Sequence, residues 1–305
     1  MASNRTVNVI MPACNSQSFI ARSVKSVLEQ TYTNWKLIII ADDLFDYKPF
    51  LYSKGINDER ISFLSTGKFK SGISSARNIG LNFAKDEIIA LLDSDDTFMP
   101  TKLELMLPKT IEHGVSSCAM NYKLDNGVLI TRVGDQCQAQ MLRANEYLFI
   151  NFSGNSMIML DTARVPLLYD ETFLVLEDLL FAMSCYDYVD KIYHFNEPLH
   201  NYYHNSSSIS NDSSSSNLYI ETKRKIIQKI DKGELQISNP LANNSLKEFL
   251  TISVRCEIDF QELKKTNKEL TFTSYLKENL GCLFLNQMSS TIYKETLSSN
   301  KIIFN

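Results

Sequence analysis

The run Glu87-Ile88-Ile89-Ala90-Leu91-Leu92-Asp93-Ser94-Asp95-Asp96 constrains this chain more than any other stretch. A hydrophobic segment of strand length ends there in three carboxylates within four positions. Burying one carboxylate is costly, and crowding three adds like-charge repulsion. The cluster therefore belongs at an exposed strand end, where a divalent cation is the simplest agent that neutralises it. On an extended chain, alternation points Asp93 and Asp95 one way and Asp96 the other. Two same-facing carboxylates around a small Ser suit a hard cation, and oxygen ligands favour Mg²⁺ or Mn²⁺ over zinc or copper. The competing reading of an isolated Asp-Xaa-Asp (DXD) is a solvated acidic turn.

The neighbouring segments also end in polar groups. Thr6-Val7-Asn8-Val9-Ile10-Met11-Pro12-Ala13-Cys14-Asn15 is a β-rich run, and Pro12, which cannot donate to a ladder, marks its end. Ser16-Gln17-Ser18-Phe19-Ile20 opens a helical pattern with Phe19, Ile20, Val24, Val27 and Leu28 on one face. Trp35 to Ala41 reads as a second buried strand and runs into Asp42-Asp43, and Ile61 to Leu64 reads as a short third strand. Gly72 to Gly80 is a glycine-bounded turn entering a helix that leads to the acidic strand. Strand, helix, strand, strand, helix, strand predicts an α/β fold with a mixed, mostly parallel sheet flanked by helices. In such sheets ligands bind outside the carboxyl ends of the strands, so Pro12-Ala13, Asp42-Asp43 and Asp93-Ser94-Asp95 converge on one crevice.

Four strings resemble the inverting family 2 glycosyltransferases of bacterial surface-glycan type in content, order and spacing. They are Val9-Ile10-Met11-Pro12-Ala13-Cys14-Asn15, Asp42-Asp43, Ser75-Ala76-Arg77-Asn78-Ile79-Gly80 and Leu92-Asp93-Ser94-Asp95-Asp96. The resemblance continues to Glu177-Asp178 and to Asn201-Tyr202-Tyr203-His204-Asn205-Ser206-Ser207-Ser208-Ile209-Ser210. It implies a GT-A (Rossmann-like) catalytic domain over residues 1–212. The remaining residues, 213–305, match nothing in that family.

The resemblance also implies roles. The enzyme would move a sugar from a nucleotide sugar, UDP-linked by preference, to a glycan or lipid-linked acceptor in polysaccharide biosynthesis. Mn²⁺ or Mg²⁺ would stabilise the leaving diphosphate. Asp95 is the first metal ligand, with Asp93 and Ser94 on the donor. Asp96 is a further metal candidate whose other reading is a cap on the following turn. His204 is an extra ligand or a solvated loop histidine, and His200 competes with it. Pro12, Ala13 and Asn15 would present groups to the base. Asp42 or Asp43 would accept the imide N–H of uracil, a donor that cytosine lacks. Arg77 would reach the base or a phosphate. Asp178 would be the general base that deprotonates the acceptor hydroxyl, a helix N-terminus favouring its ionised form; the other reading has Glu177 and Asp178 only complementing the helix dipole. One departure stands out. Relatives continue the second strand as Asp-Asp-Gly-Ser, whereas Leu44 follows Asp43 here, which restricts the turn or strains it.

Bulk properties fit a cytoplasmic enzyme, working at most at the inner face of a membrane. A chain of 305 residues buries a sizeable core, and its net charge of −4, with no basic run or aromatic RNA motif, gives no reason to expect nucleic acid. The start leads into a strand with no signal-peptide core, and no stretch approaches the ~20 apolar residues of a membrane span. The six cysteines are scattered with no Cys-Xaa-Xaa-Cys pair, which fits reduced thiols.

Beyond the acidic strand, Pro100 opens a predicted helix, and Ser116–Tyr122 with Gly127–Val133 read as a hairpin. A helix over Ala144–Phe149, a strand over Ser156–Leu160 and an apolar helix from Glu177 follow. After the Ser/Asn-rich stretch Asn205–Asn217, helices are expected near 218–232, 243–265, 272–280 and 283–298, forming an all-helical appendage for acceptor, membrane-surface or self-association contacts. Two other functions keep a similar pattern. A non-catalytic nucleotide- or glycan-binding module would lose the carboxylates that this chain keeps. A nucleotidyltransferase would show a Gly-rich basic phosphate loop where Pro12-Ala13-Cys14-Asn15 stands.

Overall fold

The computed structural model describes residues 5–85, 87–135, 137–150, 157–204 and 215–266, together with 272, 275 and 276. Its first half alternates strands and helices: β1 (Val7–Ala13), α1 (Ile20–Leu28), β2 (Trp35–Ala41), α2 (Tyr47–Ser53), β3 (Ile61–Ser65), α3 (Ile73–Phe83), β4 (Ile88–Leu91), β5 (Thr97–Phe98) and α4 (Lys102–His113). Then come β6 (Val115–Leu124), β7 (Leu129–Val133), β8 (Gln140–Leu142), α5 (Ala144–Ile150), β9 (Ile158–Asp161), α6 (Glu177–Ser184), β10 (Ile192–His204), α7 (Ser215–Asp231) and α8 (Pro240–Thr266).

One mixed sheet runs in the order β3-β2-β1-β4-β9-β6-β10-β5, with β7 on β6 and β8 on β10. β3, β2, β1 and β4 pair in parallel, as do β6 and β10, and β9 runs antiparallel between β4 and β6. β1, β2 and β4 are short, mostly apolar runs buried on both faces, as parallel strands between helix layers must be, and β3 at the sheet edge is only partly buried. One face packs Ile20, Val24 and Val27 of α1, Leu51 of α2 and Leu103 and Met106 of α4 against Val9, Met11, Leu37 and Ile39. The other face packs Ile10, Ile38 and Ile40 with α3, α5 and α6, and the same core continues into Ile226 of α7 and Leu246, Phe249 and Leu250 of α8.

Two glycines fix the approach to the crevice. Gly72 caps α3 at φ 110°, which side chains rarely adopt. A Cβ on Gly80 would stand 2.6 Å from Ile10 Cγ2, so only glycine lets α3 lie this close to β1 and β2.

Most of the expected elements form. Four were not read from the sequence: α2, β5, β8 and β10. The expected helices at 272–280 and 283–298 and the stretch 205–214 lie outside the described residues, apart from isolated positions. The helix expected near 243 starts at Pro240, a residue suited to the first helical position because its missing N–H costs no helix bond.

Candidate active site

β4 ends at Leu91, so the acidic motif is not extended chain. The Asp96 N–H donates to the Asp93 carbonyl at 3.1 Å, closing a turn, and the alternation expected from a strand does not apply. Residues ahead of and within α1 hold this turn from below. Ser16 Oγ meets Ser94 Oγ at 2.7 Å, Ser23 Oγ donates to the Ser94 carbonyl at 2.7 Å, and Arg22 Nη2 donates to the Asp95 carbonyl at 2.6 Å. The Arg22 guanidinium also lies 3.6 Å from the centre of the Tyr203 ring.

The three carboxylates separate. Asp96 turns inward, 1% exposed, with Oδ2 2.9 Å from His200 Nε2 and Oδ1 accepting from the Tyr203 N–H at 3.0 Å. His200 Nδ1 lies 3.4 Å from Lys102 Nζ, and burial pushes that lysine down to about 8 and the histidine well below its usual value. Both Asp96 oxygens and both His200 nitrogens are therefore engaged away from the open side, which is a poor position for the metal ligand that either was a candidate to be. Asp93 pairs with Arg77. Asp95 stays half-exposed, and among the described residues no side chain donates to its carboxylate. Burial, then the neighbouring Asp96 and Asp93, raise it to about 7.

That electrostatic crowding fits a cation. Among the described residues no three His, Cys, Asp or Glu side chains form a ready-made cage. Mg²⁺ sites, however, commonly take one or two carboxylates and complete the shell with phosphate oxygens and water. His204, at the same sheet end, has its Nδ1 engaged by Tyr122 Oη at 2.8 Å.

The two aspartates after β2 do different work. Asp42 is buried and accepts from Thr66 Oγ1 (2.9 Å), the N–H of Ser71 (2.9 Å) and of Gly72 (3.0 Å), and the Ser71 hydroxyl. Burial alone would raise its pKa, but these donors hold it below the usual range. Asp42 thus ties the loop between β3 and α3 to β2. Asp43 is less buried; its Oδ2 accepts from the Asn15 N–H at 2.6 Å and Tyr47 Oη at 2.7 Å. Leu44 adopts φ 61°, the left-handed conformation that the missing glycine would have supplied, and Asn15 adopts φ 54°. Pro12 and Ala13 are buried at the end of β1, and Cys14 and Asn15 open to solvent.

Arg77 is 2% exposed and its head is a bridge. Nη2 donates to Asp93 Oδ1 at 2.7 Å and Nη1 to Glu177 Oε1 at 3.0 Å. The expected reach to a base or phosphate is replaced, at these two nitrogens, by an ion pair linking the acidic turn to the start of α6. Asp178, half-buried there, accepts the Leu179 N–H at 2.7 Å. Burial raises Asp178 above its ordinary value and takes Glu177, which Asp178 also repels, up to about 7. The helix N-terminus therefore does not win over burial, contrary to the expectation of an easily ionised group. Sequence reasoning singled out neither Arg22, Ser23 and Tyr47 nor the supporting pair Asn78 and Tyr169. The one available signal was Asn78, which directly follows Arg77 in a motif already noted.

Residues 8–161 match the family model Glycosyl transferase family 2. The chain belongs to that family. Among its relatives in this glycosyltransferase family are two from Escherichia coli, both named UDP-Glc:alpha-D-GlcNAc-diphosphoundecaprenol beta-1,3-glucosyltransferase. WfgD is 36% identical over 47% of this chain and 54% of its own length, and WfaP is 35% identical over 42% and 50%. The chain thus spans about half the length of these relatives. Among solved structures, S. aureus TarS 1-349 in complex with UDP-GlcNAc superposes with a TM-score of 0.66 at 17% identity, over 97% of this chain and 92% of that one. That likeness shows a common fold. The mixed sheet flanked by helices is the GT-A arrangement of this family.

Proposed function

We propose that this glycosyltransferase moves a sugar from a UDP-linked donor to a lipid-linked glycan acceptor of a bacterial surface polysaccharide, with inversion by single displacement. The observation that carries the reading is the Arg77 bridge, which holds Asp93 of the acidic turn and Glu177, beside Asp178, on two ends of one guanidinium. An inverting transfer needs these two things together: a donor-phosphate site and a base for the acceptor. The donor and acceptor classes are supported by the UDP-Glc and diphosphoundecaprenol in the relatives' names and by the UDP-GlcNAc bound to TarS.

Pro12, Ala13 and Asn15 frame the base, and Asp43, less buried than Asp42, accepts the uracil imide N–H. Asp93 and Ser94 meet the ribose and diphosphate, and Arg77 holds Asp93 in place for that contact. Asp95, with His204 facing the same end of the sheet, would hold Mn²⁺ or Mg²⁺, which when bound offsets the charge developing on the leaving diphosphate. Asp178 takes the proton of the acceptor hydroxyl as its oxygen bonds to the anomeric carbon and the bond to the diphosphate breaks on the opposite face. No protein nucleophile is required. Residues 1–212 supply this chemistry. Residues 213–305 serve contacts to the acceptor, a second subunit or the membrane surface; no described helix is long and apolar enough to cross a bilayer.

The test is UDP release and product configuration with UDP-Glc and UDP-GlcNAc, a GlcNAc-diphospholipid acceptor, and Mn²⁺ or EDTA. Wild type should give an inverted product only with metal, and Asp95→Ala should give none while keeping its fold. Retained configuration, or full Mn²⁺-dependent turnover by Asp95→Ala, would overturn the assignment.

A further inference from the structure

Two consecutive residues of α3 hold both ends of the segment that leads into α6. Arg77 takes the far end through Glu177. Asn78, buried at 8% exposure, takes the near end. Its Oδ1 accepts from the Tyr169 N–H at 2.7 Å, and its Nδ2 donates to the Tyr169 carbonyl at 3.1 Å and to Glu171 Oε1 at 2.9 Å. The side-chain amide thus pairs with the Tyr169 backbone as a neighbouring strand would. The Tyr169 ring stacks on Phe181 of α6 at 4.1 Å, with the Arg77 guanidinium carbon 5.2 Å from its centre. Between the two anchors the segment exposes Leu174, and Leu176, the residue before Glu177, sits at φ 65°. A branched residue in that region is strained and persists only where the surroundings over-determine it.

We infer that Arg77 and Asn78 form a two-point latch that positions Asp178 against the donor, so that acceptor transfer depends on Asn78 although Asn78 touches neither substrate. The inference rests on the inverting reading above. It assigns a purpose to the Arg-Asn pair: one residue fixes the donor-side carboxylate to the helix start, and the next fixes the loop that sets where that start points. Because Asn78 is one helix position from the arginine that holds Asp93, donor binding and base placement share a single rigid support. Losing the latch leaves the donor seated and the base displaced. Displacement by about 1 Å is enough to cost on the order of 100-fold in rate.

The test is Asn78→Ala. Expected are a donor Kd within about two-fold of wild type, acceptor transfer at saturating donor down by roughly 10–100-fold, and hydrolysis of the donor by water reduced far less. The ratio of transfer to hydrolysis separates a displaced base from general loss of structure, which would lower both together. Amide exchange should accelerate in residues 169–178 and stay unchanged in β1 and β4. An unchanged ratio, or unchanged exchange in 169–178, overturns the latch. If Asn78→Ala does not fold, Asn78→Ser carries the same readouts, since one hydroxyl cannot reach both Tyr169 groups. If wild type transfers no sugar, the inverting reading fails, while the exchange measurement still decides whether Asn78 holds the segment.

Discussion

At Asp178 the field of the protein works against ionisation. Burial raises both carboxyls at the start of α6, and each disfavours the charge of the other, while Arg77 offsets part of that cost. A base whose pKa lies close to the working pH is well matched to proton transfer. Transfer should therefore rise with pH as the pair gives up its last proton, with Glu177 near 7 marking the region. In Glu177→Gln one of the two charges is gone, so the acid limb of kcat/KM should move to lower pH; an unmoved limb would show that another group governs it. Asp178→Asn should lower kcat by roughly 10²–10⁴ with donor affinity kept. Stability follows the opposite sign. The folded protein binds a proton at Glu177 that the unfolded chain has lost, so this contribution is complete below about 4.5, is lost as pH rises toward 7, and is removed by Glu177→Gln. Thermal melts of the two proteins across that window would check it.

At the scale of elements, α3 lies on β1 with no room for a methyl group at position 80. Gly80→Ala would gain about 1 kcal/mol of helix propensity but must displace Ile10 Cγ2, and overpacking of a tight core typically costs about 1–3 kcal/mol. The expected outcome is a lower denaturation midpoint, with weakened donor binding because α3 carries Arg77. A midpoint at or above wild type would mean that Ile10 repacks freely. The elements that could be read from the sequence were those with one physical cause. β1, β2 and β4 are apolar runs that stop at polar groups, and α3 begins at a glycine. β10 was not legible, because Pro198 interrupts it at register shifts and its buried positions include His194, His200 and Asn201. A seven-residue helix containing Pro49, such as α2, carries little periodic signal. Asp96 does point away from Asp93 and Asp95, as alternation had it, but a turn after Leu91 sends it there and not the pleat of a strand. The Asp42 and Asp43 pair was legible as a site. The division between them was not, since it depends on donors from Thr66, Ser71 and Gly72 in a loop more than twenty positions away.

The whole molecule is held together past the end of the family match at residue 161. α8 packs Leu246, Phe249, Leu250 and Cys256 into the core that contains Ile10 and Ile38, and Lys223 of α7 is buried against Glu257 of α8. Asp187 further accepts the N–H groups of Ser238 and Asn239 at 2.8 and 2.7 Å, tying the start of α8 to the end of α6. Residues 213–305 are thus proposed as a unit of function and not of packing. A chain ending near Asn217 would uncover the α5 and α6 surface on which α8 lies. Each large apolar side chain left in water costs roughly 1.5–3 kcal/mol, so a few suffice to cancel the stability of an ordinary domain. The expected outcome is loss of cooperative unfolding and aggregation. Replacing exposed groups on the outer face of α7, such as Arg224 and Lys225, should leave the fold and UDP binding intact while changing acceptor transfer or recovery on lipid vesicles. Calorimetric titration with UDP and Mn²⁺ would measure the first, and vesicle co-sedimentation the second. If Arg224→Glu with Lys225→Glu abolishes UDP binding in a folded protein, α7 belongs to the donor site and the division of labour at residue 213 is wrong. If transfer and vesicle binding are both unchanged, the contacts of this region lie elsewhere on its surface.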